Sequence, residues 1–374
     1  MTKPVRENYR EDVAGRANVE ETPELAAYYD ELERFDTAAL WTVANKIEPW
    51  EPKSASVPVL WRYADLRDHV LRSIELVAPE KAGRRVIYLN NPGRRDVAAA
   101  CGWLYSGLQV MKPGEVASAH AHSASALRFI MEGSGAYTIV DGHKMTLGEN
   151  DFVLTPNGTW HEHGVEASGS PCIWQDGLDI PLVNSLEANF YAVHPDLKQA
   201  VTYAVDDASL TWGAPGLQPA GSDWKKAYSP LLKYEWEPTY EALSKYAKAT
   251  DGSPFDGVLM NYVNPQTGGP VMQTIGAAMQ MLRPGEKTRA HRHTGCSIYQ
   301  VAKGEGYSII DGRRFDWKRH DIFCVPAWAF HEHGNASDTD DACLFNFNDL
   351  PVMQALGLYR EEAFGENAGH QPVM

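Results

Sequence analysis

The sequence predicts an all-β fold of two antiparallel jelly-roll barrels, preceded by a helical arm and joined by a helical connector. Three observations carry this. A histidine pattern occurs twice: His120-Ala121-His122 followed by His161-Glu162-His163-Gly164, and His291-Arg292-His293 followed by His331-Glu332-His333-Gly334. Turn-forming pairs repeat in the same frame, Lys112-Pro113-Gly114-Glu115 with Arg283-Pro284-Gly285-Glu286, Asp141-Gly142 with Asp311-Gly312, and Pro156 with Pro326. A fixed internal period is a fold-level signal that precedes any local reading. Between the turns lie short runs rich in β-branched and aromatic residues, such as Gly135 to Val140 and Tyr307 to Ile310, the composition of strands.

The elements follow in order. Residues 1–80 form the arm, where Thr22-Pro23 supplies a cap and a first-turn proline for a helix over Leu25 to Phe35. A second helix is expected from about Tyr63 to Val77, with Leu66, Val70, Leu71 and Ile74 at helical spacing. The first barrel takes 81–200 and the connector 201–256, with a helix-like stretch from Tyr240 to Ala249. The second barrel takes 257–350. Residues 351–374 are a helix from Pro351 to Phe364 and a frayed tail.

Composition bounds the function. With 44% hydrophobic and 22% charged residues in 374, core material is not limiting. A net charge of −15 argues against nucleic acid or an anionic membrane as partner, since both need a basic footprint. An anionic substrate would need a local positive site. No run approaches the roughly 18 apolar residues of a membrane span, and the polar start of the chain has no signal-like apolar core, so a cytoplasmic setting is expected. The five cysteines include no C-x-x-C and read as reduced packing residues, with Cys296 near enough to His293 in sequence to approach the second histidine set.

An H-x-H pair in a strand puts both imidazoles on one face, because side chains alternate with period two. A third histidine from a neighbouring strand completes a three-nitrogen cap with open coordination positions. In the first copy that cap is His120, His122 and His161; in the second it is His291, His293 and His331, a possible second metal site. Neutral histidines suit Fe(II), zinc, copper and nickel alike. No acid follows the first pair within Ser123 to Arg128, so the metal keeps its full charge and can accept a bidentate dianion. The copies also differ in cations: Arg84, Arg85 and Arg128 in the first align near Asp256, Gly257 and Tyr299 in the second. A guanidinium binds a carboxylate through strong, often bidentate hydrogen bonds. The first barrel is therefore the expected site for an aromatic acid.

Gly114-x5-His120-x-His122 with Gly148-x7-Pro156-x4-His161 resembles the paired cupin motifs, and the duplication makes the chain a bicupin. The stretches Arg84 to Gly93, Leu127 to Phe129, Pro156 to Gly164 and Trp174 to Pro181 resemble the gentisate 1,2-dioxygenase family, which includes salicylate, substituted-salicylate and 1-hydroxy-2-naphthoate dioxygenases. The likeness runs over roughly residues 22 to 364. It implies Fe(II) on His120, His122 and His161, with no flavin, haem or nicotinamide. It implies O2-dependent cleavage of the bond between the carboxyl- and hydroxyl-bearing ring carbons, with no external reductant. It also implies a homotetramer. Matching positions assign catalysis to His163, Arg128 and Asp176, and substrate binding to Arg84, Gln109 and Arg128. Tyr105, Gly107 and Glu48 are further substrate-binding candidates, although Glu48 stands where the family usually has an apolar residue, and Glu80 and Tyr105 depart from the closest salicylate-cleaving relatives. Glu48 either accepts a ring donor such as the 5-hydroxyl of gentisate or faces solvent. Gentisate is the expected substrate, with salicylate, 5-substituted salicylates such as 5-nitrosalicylate, and 1-hydroxy-2-naphthoate as alternatives. A non-oxidative metal-binding bicupin, an isomerase or a binding protein, is the reading from another class.

Competing structural roles are explicit. Gln109 recurs as Gln280, which suits a shared structural hydrogen bond, and Arg85 suits a surface or interface ion pair. His69, His143, His194, His320 and His370 fit neither set and read as ordinary surface or partly buried residues.

Overall fold

The computed structural model describes residues 19–374 and divides into two compact units, one ending at Lys53 and the other spanning Ser54–Met374. In the first unit, a helix runs over Pro23–Glu33, its start set by Thr22, whose Oγ1 accepts from Leu25 N at 3.2 Å. Two short turns follow, Leu40–Thr42 and Ala44–Ile47, and Trp41 Nε1 donates to Tyr29 at 2.9 Å.

The second unit is a bicupin-like arrangement of two β-sheet repeats with helical connections. In the first repeat a six-stranded sheet is ordered Lys233–Tyr234, Phe152–Thr155, Ala126–Glu132, Cys172–Leu178, Tyr105–Met111, Val86–Tyr88. A five-stranded sheet is ordered Tyr191–Val193, Val116–His122, His161–Val165, Ala136–Val140, His143–Leu147. The second repeat has the same two sheets. Its six-stranded member centres on Ser297–Lys303, Ala342–Asn348 and Gly276–Leu282, and its five-stranded member on Glu305–Ile310, His331–Asn335 and His291–His293. Pairings are antiparallel throughout, as short turn-linked strands require.

Several expectations need correction. The sheets of each repeat are open pairs rather than closed barrels, and the all-β expectation understates the helices: Tyr63–Leu76 and Trp236–Ala249 each have 14 residues. Strands also cross the segments read from sequence. Val59–Trp61 pairs with Ile322–Val325 of the second repeat, while Lys233–Tyr234 pairs with Phe152–Thr155 of the first. Each covers a sheet edge that would otherwise present unpaired backbone groups. The expected helix from Pro351 to Phe364 is only Leu350–Ala355. It stops before Gly357, whose φ of 69° is the left-handed conformation that ends helices, and Glu361–Ala363 then forms a strand on His291–His293. The tail is docked rather than frayed. Gln371 is buried, donating Nε2 to Ile309 O at 2.9 Å and accepting from Gly312 N at 3.0 Å.

The core lies where the six-stranded sheets of the two repeats face each other. Phe129 stacks on Phe345 with centroids 4.1 Å apart, and Phe152 packs beside them. Gly177 is required here, because a Cβ at that position would come within 2.6 Å of the Phe347 ring. Since side chains alternate, Phe129 and Gly177 on this face leave Arg128, Trp174 and Asp176 on the opposite face, inside the first repeat.

Candidate active site

The strand Val116–His122 puts His120 and His122 on one face, and His120 lies directly opposite His161 across the ladder. The sequence does this locally by alternation: the intervening Ala121 is buried on the other side. Each of the three imidazoles uses Nδ1 on a backbone carbonyl, His120 on Ser118 at 2.7 Å, His122 on Ala124 at 2.7 Å and His161 on Thr159 at 3.0 Å. A carbonyl only accepts, so the proton sits on Nδ1 and the Nε2 lone pair is left to coordinate. The ring centroids of His161 lie 4.2 Å from His120 and 4.7 Å from His122. Among the described residues this is the one group of three or more His, Cys, Asp or Glu side chains whose donor atoms all lie within 4.8 Å of one another. The Nε2 atoms of His122 and His161 are buried with no hydrogen-bond partner, a costly state for polar atoms that a cation would relieve. These residues therefore fit a divalent metal.

Electrostatics hold the triad neutral. Burial, then the Arg84 guanidinium, lowers His120 to about 3 and His122 to about 4, and burial drives His161 well below its ordinary value. Arg84 Nη1 donates to His120 Nε2 at 3.1 Å, a hydrogen bond that a metal on the triad would displace, leaving the guanidinium for an anion beside it. A cavity of about 230 Å³ opens along this edge, lined by Arg84, His120 and Tyr191 among others. A separate cavity of about 380 Å³, beside Tyr234, Thr239 and Tyr262, contains none of the expected site residues.

The six-stranded sheet supplies the polar wall. Register sets Asp176 opposite both Gly107 and Arg128, and Trp174 opposite Gln109. Arg128 Nε lies 3.3 Å from Asp176 Oδ1, which also accepts from Trp174 Nε1 at 3.2 Å. Arg128 Nη2 is 3.2 Å from His163 Nδ1, and the Gln109 amide is 2.9 Å from His163 Nε2. A guanidinium has no acceptor, so His163 Nδ1 takes its hydrogen bond and the ring proton sits on Nε2. The Gln109 amide oxygen, otherwise without a partner, is then the natural acceptor for that proton, since the two ends of an amide exchange by a half-turn. His163 is thus a fixed, neutral hydrogen-bond relay, held well below its ordinary pKa by burial and then by Arg128. Burial also lowers Arg128 to about 10 and raises Asp176, whose charge the two arginines partly restore. Arg128 Nη1 is buried and without a hydrogen-bond partner among the described residues, which is the requirement for receiving a carboxylate.

Most expected site residues converge: Arg84, Gln109, His120, His122, Arg128, His161, His163 and Asp176 form one connected cluster of side chains. Tyr105 shares a strand face with Gln109 and stacks on Tyr88 at 6.1 Å, its hydroxyl proton held tightly by burial and by Asp176. Gly107 admits the neighbouring strand, since a Cβ there would meet Val86 at 2.6 Å. Glu48 is exposed at the end of Ala44–Ile47, in the first unit. Arg85 is a correction: instead of a surface ion pair it is buried with Glu115. Two residues escaped the sequence reading. Trp174 anchors Asp176 and lies edge-on to His163 at 5.7 Å, and Tyr191 stacks on His120 at 5.4 Å. Two-residue spacing from Asp176 on a strand would have found Trp174; Tyr191 carries no local signal.

The second set is related but wider. The centroids of His331 lie 4.4 Å from His291 and 5.1 Å from His293, yet the three side chains fall outside the 4.8 Å donor grouping. Cys296 does not approach it; its thiol lies 3.3 Å from both Cys101 O and Asp349 Oδ2.

The cupin domain family model matches residues 107–181 and 278–347. A gentisate 1,2-dioxygenase from Aquipseudomonas alcaligenes is 38% identical over 340 residues, covering 91% of this chain and 96% of that protein. A 5-aminosalicylate 1,2-dioxygenase from a Comamonas species is 37% identical, covering 94% and 93%. The crystal structure of salicylate 1,2-dioxygenase from Pseudoaminobacter salicylatoxidans with gentisate superposes with a TM-score of 0.87 at 32% identity, covering 95% of this chain and 98% of that one.

Proposed function

Because the chain belongs to the gentisate/salicylate 1,2-dioxygenase family of bicupins, we propose that its first repeat opens 2-hydroxybenzoates between the carboxyl-bearing C1 and hydroxyl-bearing C2, with Fe(II) on His120, His122 and His161. The protein is a ring-cleaving 1,2-dioxygenase of the gentisate/salicylate type acting on an aromatic acid of that kind. The expectation that puts gentisate first gives way to the wider class kept as its alternative, since similar proteins are named for gentisate and 5-aminosalicylate, and a salicylate enzyme of this fold is solved with gentisate. The proposed substrates are salicylate and its 5-substituted forms, gentisate being the 5-hydroxy member.

One observation carries the reading: three neutral imidazoles with inward Nε2 atoms stand beside two arginines in a buried space of an otherwise acidic protein. Bound iron would supply the redox centre through which substrate electrons reach O2. Arg84 and Arg128 bind and orient the carboxylate, and preorganisation of this kind costs nothing at the moment of reaction. His163 offers its Nε2 proton to an oxygen of the reacting complex, with Gln109 as the resting partner. Asp176 and Trp174 hold Arg128 in place. Both oxygen atoms end in the ring-opened oxo-dienedioic acid, so no external reductant is consumed. The proposal gives residues 81–200 the catalysis and 257–350 no turnover, and it carries with it a cytoplasmic homotetramer. No helix among the described residues is long and apolar enough to cross a membrane.

The test is oxygen uptake by Fe(II)-loaded protein offered gentisate, 5-aminosalicylate, salicylate, 5-nitrosalicylate and 1-hydroxy-2-naphthoate, with His161→Ala as control. Uptake equimolar with substrate, lost in the variant, is the expected result. If only the naphthoate is consumed, the proposed ring class is wrong.

A further inference from the structure

We infer that the cavity of about 380 Å³ beside Tyr234, Thr239 and Tyr262 is a binding site of its own, separate from the metal centre, for a small uncharged phenol. It lies where the outermost strands of the two six-stranded sheets, Lys233–Tyr234 and Val258–Asn261, meet the helices Asp207–Trp212 and Trp236–Ala249. Leu231, Pro238, Met260 and Val263 make much of the wall apolar, and the rings of Tyr234 and Tyr262 stand edge to face with centroids 5.3 Å apart. Ligand cavities fall in a range of about 300–1,000 Å³, and an apolar cavity of about 150 Å³ already takes benzene. A single aromatic ring therefore fits.

Hydrogen bonding and charge select which ring. Tyr234 is satisfied, its hydroxyl donating to Val263 O at 2.7 Å and meeting Ser229 Oγ at 2.8 Å. The hydroxyls of Tyr262 and Ser209, both in the wall, are buried with no hydrogen-bond partner among the described residues. Tyr262 is only 7% exposed, and the adjoining Thr239 spends its own proton on Glu235 O at 2.7 Å. A buried hydroxyl left without a partner is costly, and a ligand hydroxyl, which both donates and accepts, answers either group. Lys233 is the one lysine or arginine in the wall among the described residues. Its ammonium has three donors, and it meets three acceptors, Asp206 Oδ1 at 2.8 Å, Glu235 Oε1 at 2.9 Å and Thr146 O at 3.0 Å. No donor of that cation is left for a carboxylate, and the two acids beside it outnumber it. The metal centre, with Arg84 and Arg128, has the opposite balance. An aromatic acid and a dienedioic acid are thus disfavoured in this cavity, and a neutral ring bearing a hydroxyl is the class that suits it.

The experiment titrates phenol, and benzoate as its charged counterpart, into the intact Fe(II)-loaded protein by anaerobic calorimetry. Wild type is expected to bind one equivalent of phenol saturably. Ala242→Phe, which adds a ring to the helical wall of the cavity, should abolish that binding while the iron content stays the same. Tyr262→Phe should weaken phenol about fivefold, and it carries the assignment if Ala242→Phe does not fold. No saturable binding in wild type, or binding that survives in Ala242→Phe, would overturn the site. Unchanged affinity in Tyr262→Phe would overturn the hydroxyl anchor, and benzoate binding that Ala242→Phe abolishes would overturn the restriction to neutral ligands. A change of oligomeric state in Ala242→Phe, with no phenol bound by wild type, would overturn the site in favour of an interface between copies of the chain. These readouts need no turnover, so failure here and failure of the proposed activity are distinguishable.

Discussion

Arg128 shows how much a single buried side chain determines. Its Nε faces Asp176, its Nη2 sets the tautomer of His163, and its Nη1 has no hydrogen-bond partner among the described residues. Replacing it with Gln removes the carboxylate clamp and frees the His163 ring together. A loss of about 2–3 kcal/mol of transition-state stabilisation, roughly 30- to 200-fold in kcat/KM, is expected in steady-state kinetics. An unchanged kcat/KM would exclude the clamp. The metal ligands make a second prediction. His120 and His122, lowered to about 3 and 4, are neutral throughout the physiological range, so Co(II) binding at pH 7 should release almost no protons from this triad. Calorimetry on His331→Ala in buffers of different ionisation enthalpy measures this, with affinity falling only as pH drops towards 4. The ligands themselves were legible in the sequence, because H-x-H spacing on a strand has few other uses. The proton on His163 was not, because it is decided by Arg128, which is distant in sequence and adjacent only through pairing of strands.

At the level of elements, alternation does most of the work. One strand, Ala126–Glu132, sends Phe129 to the core between repeats and Arg128 to the site. The turn Lys112-Pro113-Gly114-Glu115, read as simple turn chemistry, also holds a buried ion pair, since Glu115 faces Arg85 and accepts from Lys112 N at 2.9 Å. Glu115→Ala leaves the Arg85 charge buried and should cost about 3–5 kcal/mol, seen as a lower midpoint in denaturant with an unchanged slope. A cost below 1 kcal/mol would show that the pair is solvent-screened. The helix start at Thr22-Pro23 was legible because capping is local. The early end of the Leu350–Ala355 helix was available in Gly357, whereas the strand Glu361–Ala363 forms by pairing with His291–His293, a segment distant in sequence.

For the whole molecule, Asp179 joins the two repeats. Its carboxylate accepts from Ser125 N at 2.8 Å in the first and from Thr274 Oγ1, just ahead of the Gly276–Leu282 strand, in the second. Burial raises it from 3.8 to about 6, so the folded state holds this proton more tightly than the unfolded chain does. Stability contributed here is present at acid pH and is lost as pH rises from about 4 to about 6, up to about 3 kcal/mol. Asp179→Asn should flatten that part of the stability profile in urea titrations; an unaltered slope would assign it to other groups. The sequence alone determined the duplication, the strand character of each repeat and the first metal triad, because these rest on periodicity and spacing along the chain. Only the tertiary structure decided that Val59–Trp61 and Lys233–Tyr234 cross into other sheets, that Arg85 is buried and that the tail is docked. Those facts depend on which distant segments complete an open edge or share a buried charge, and neither is written in local pattern.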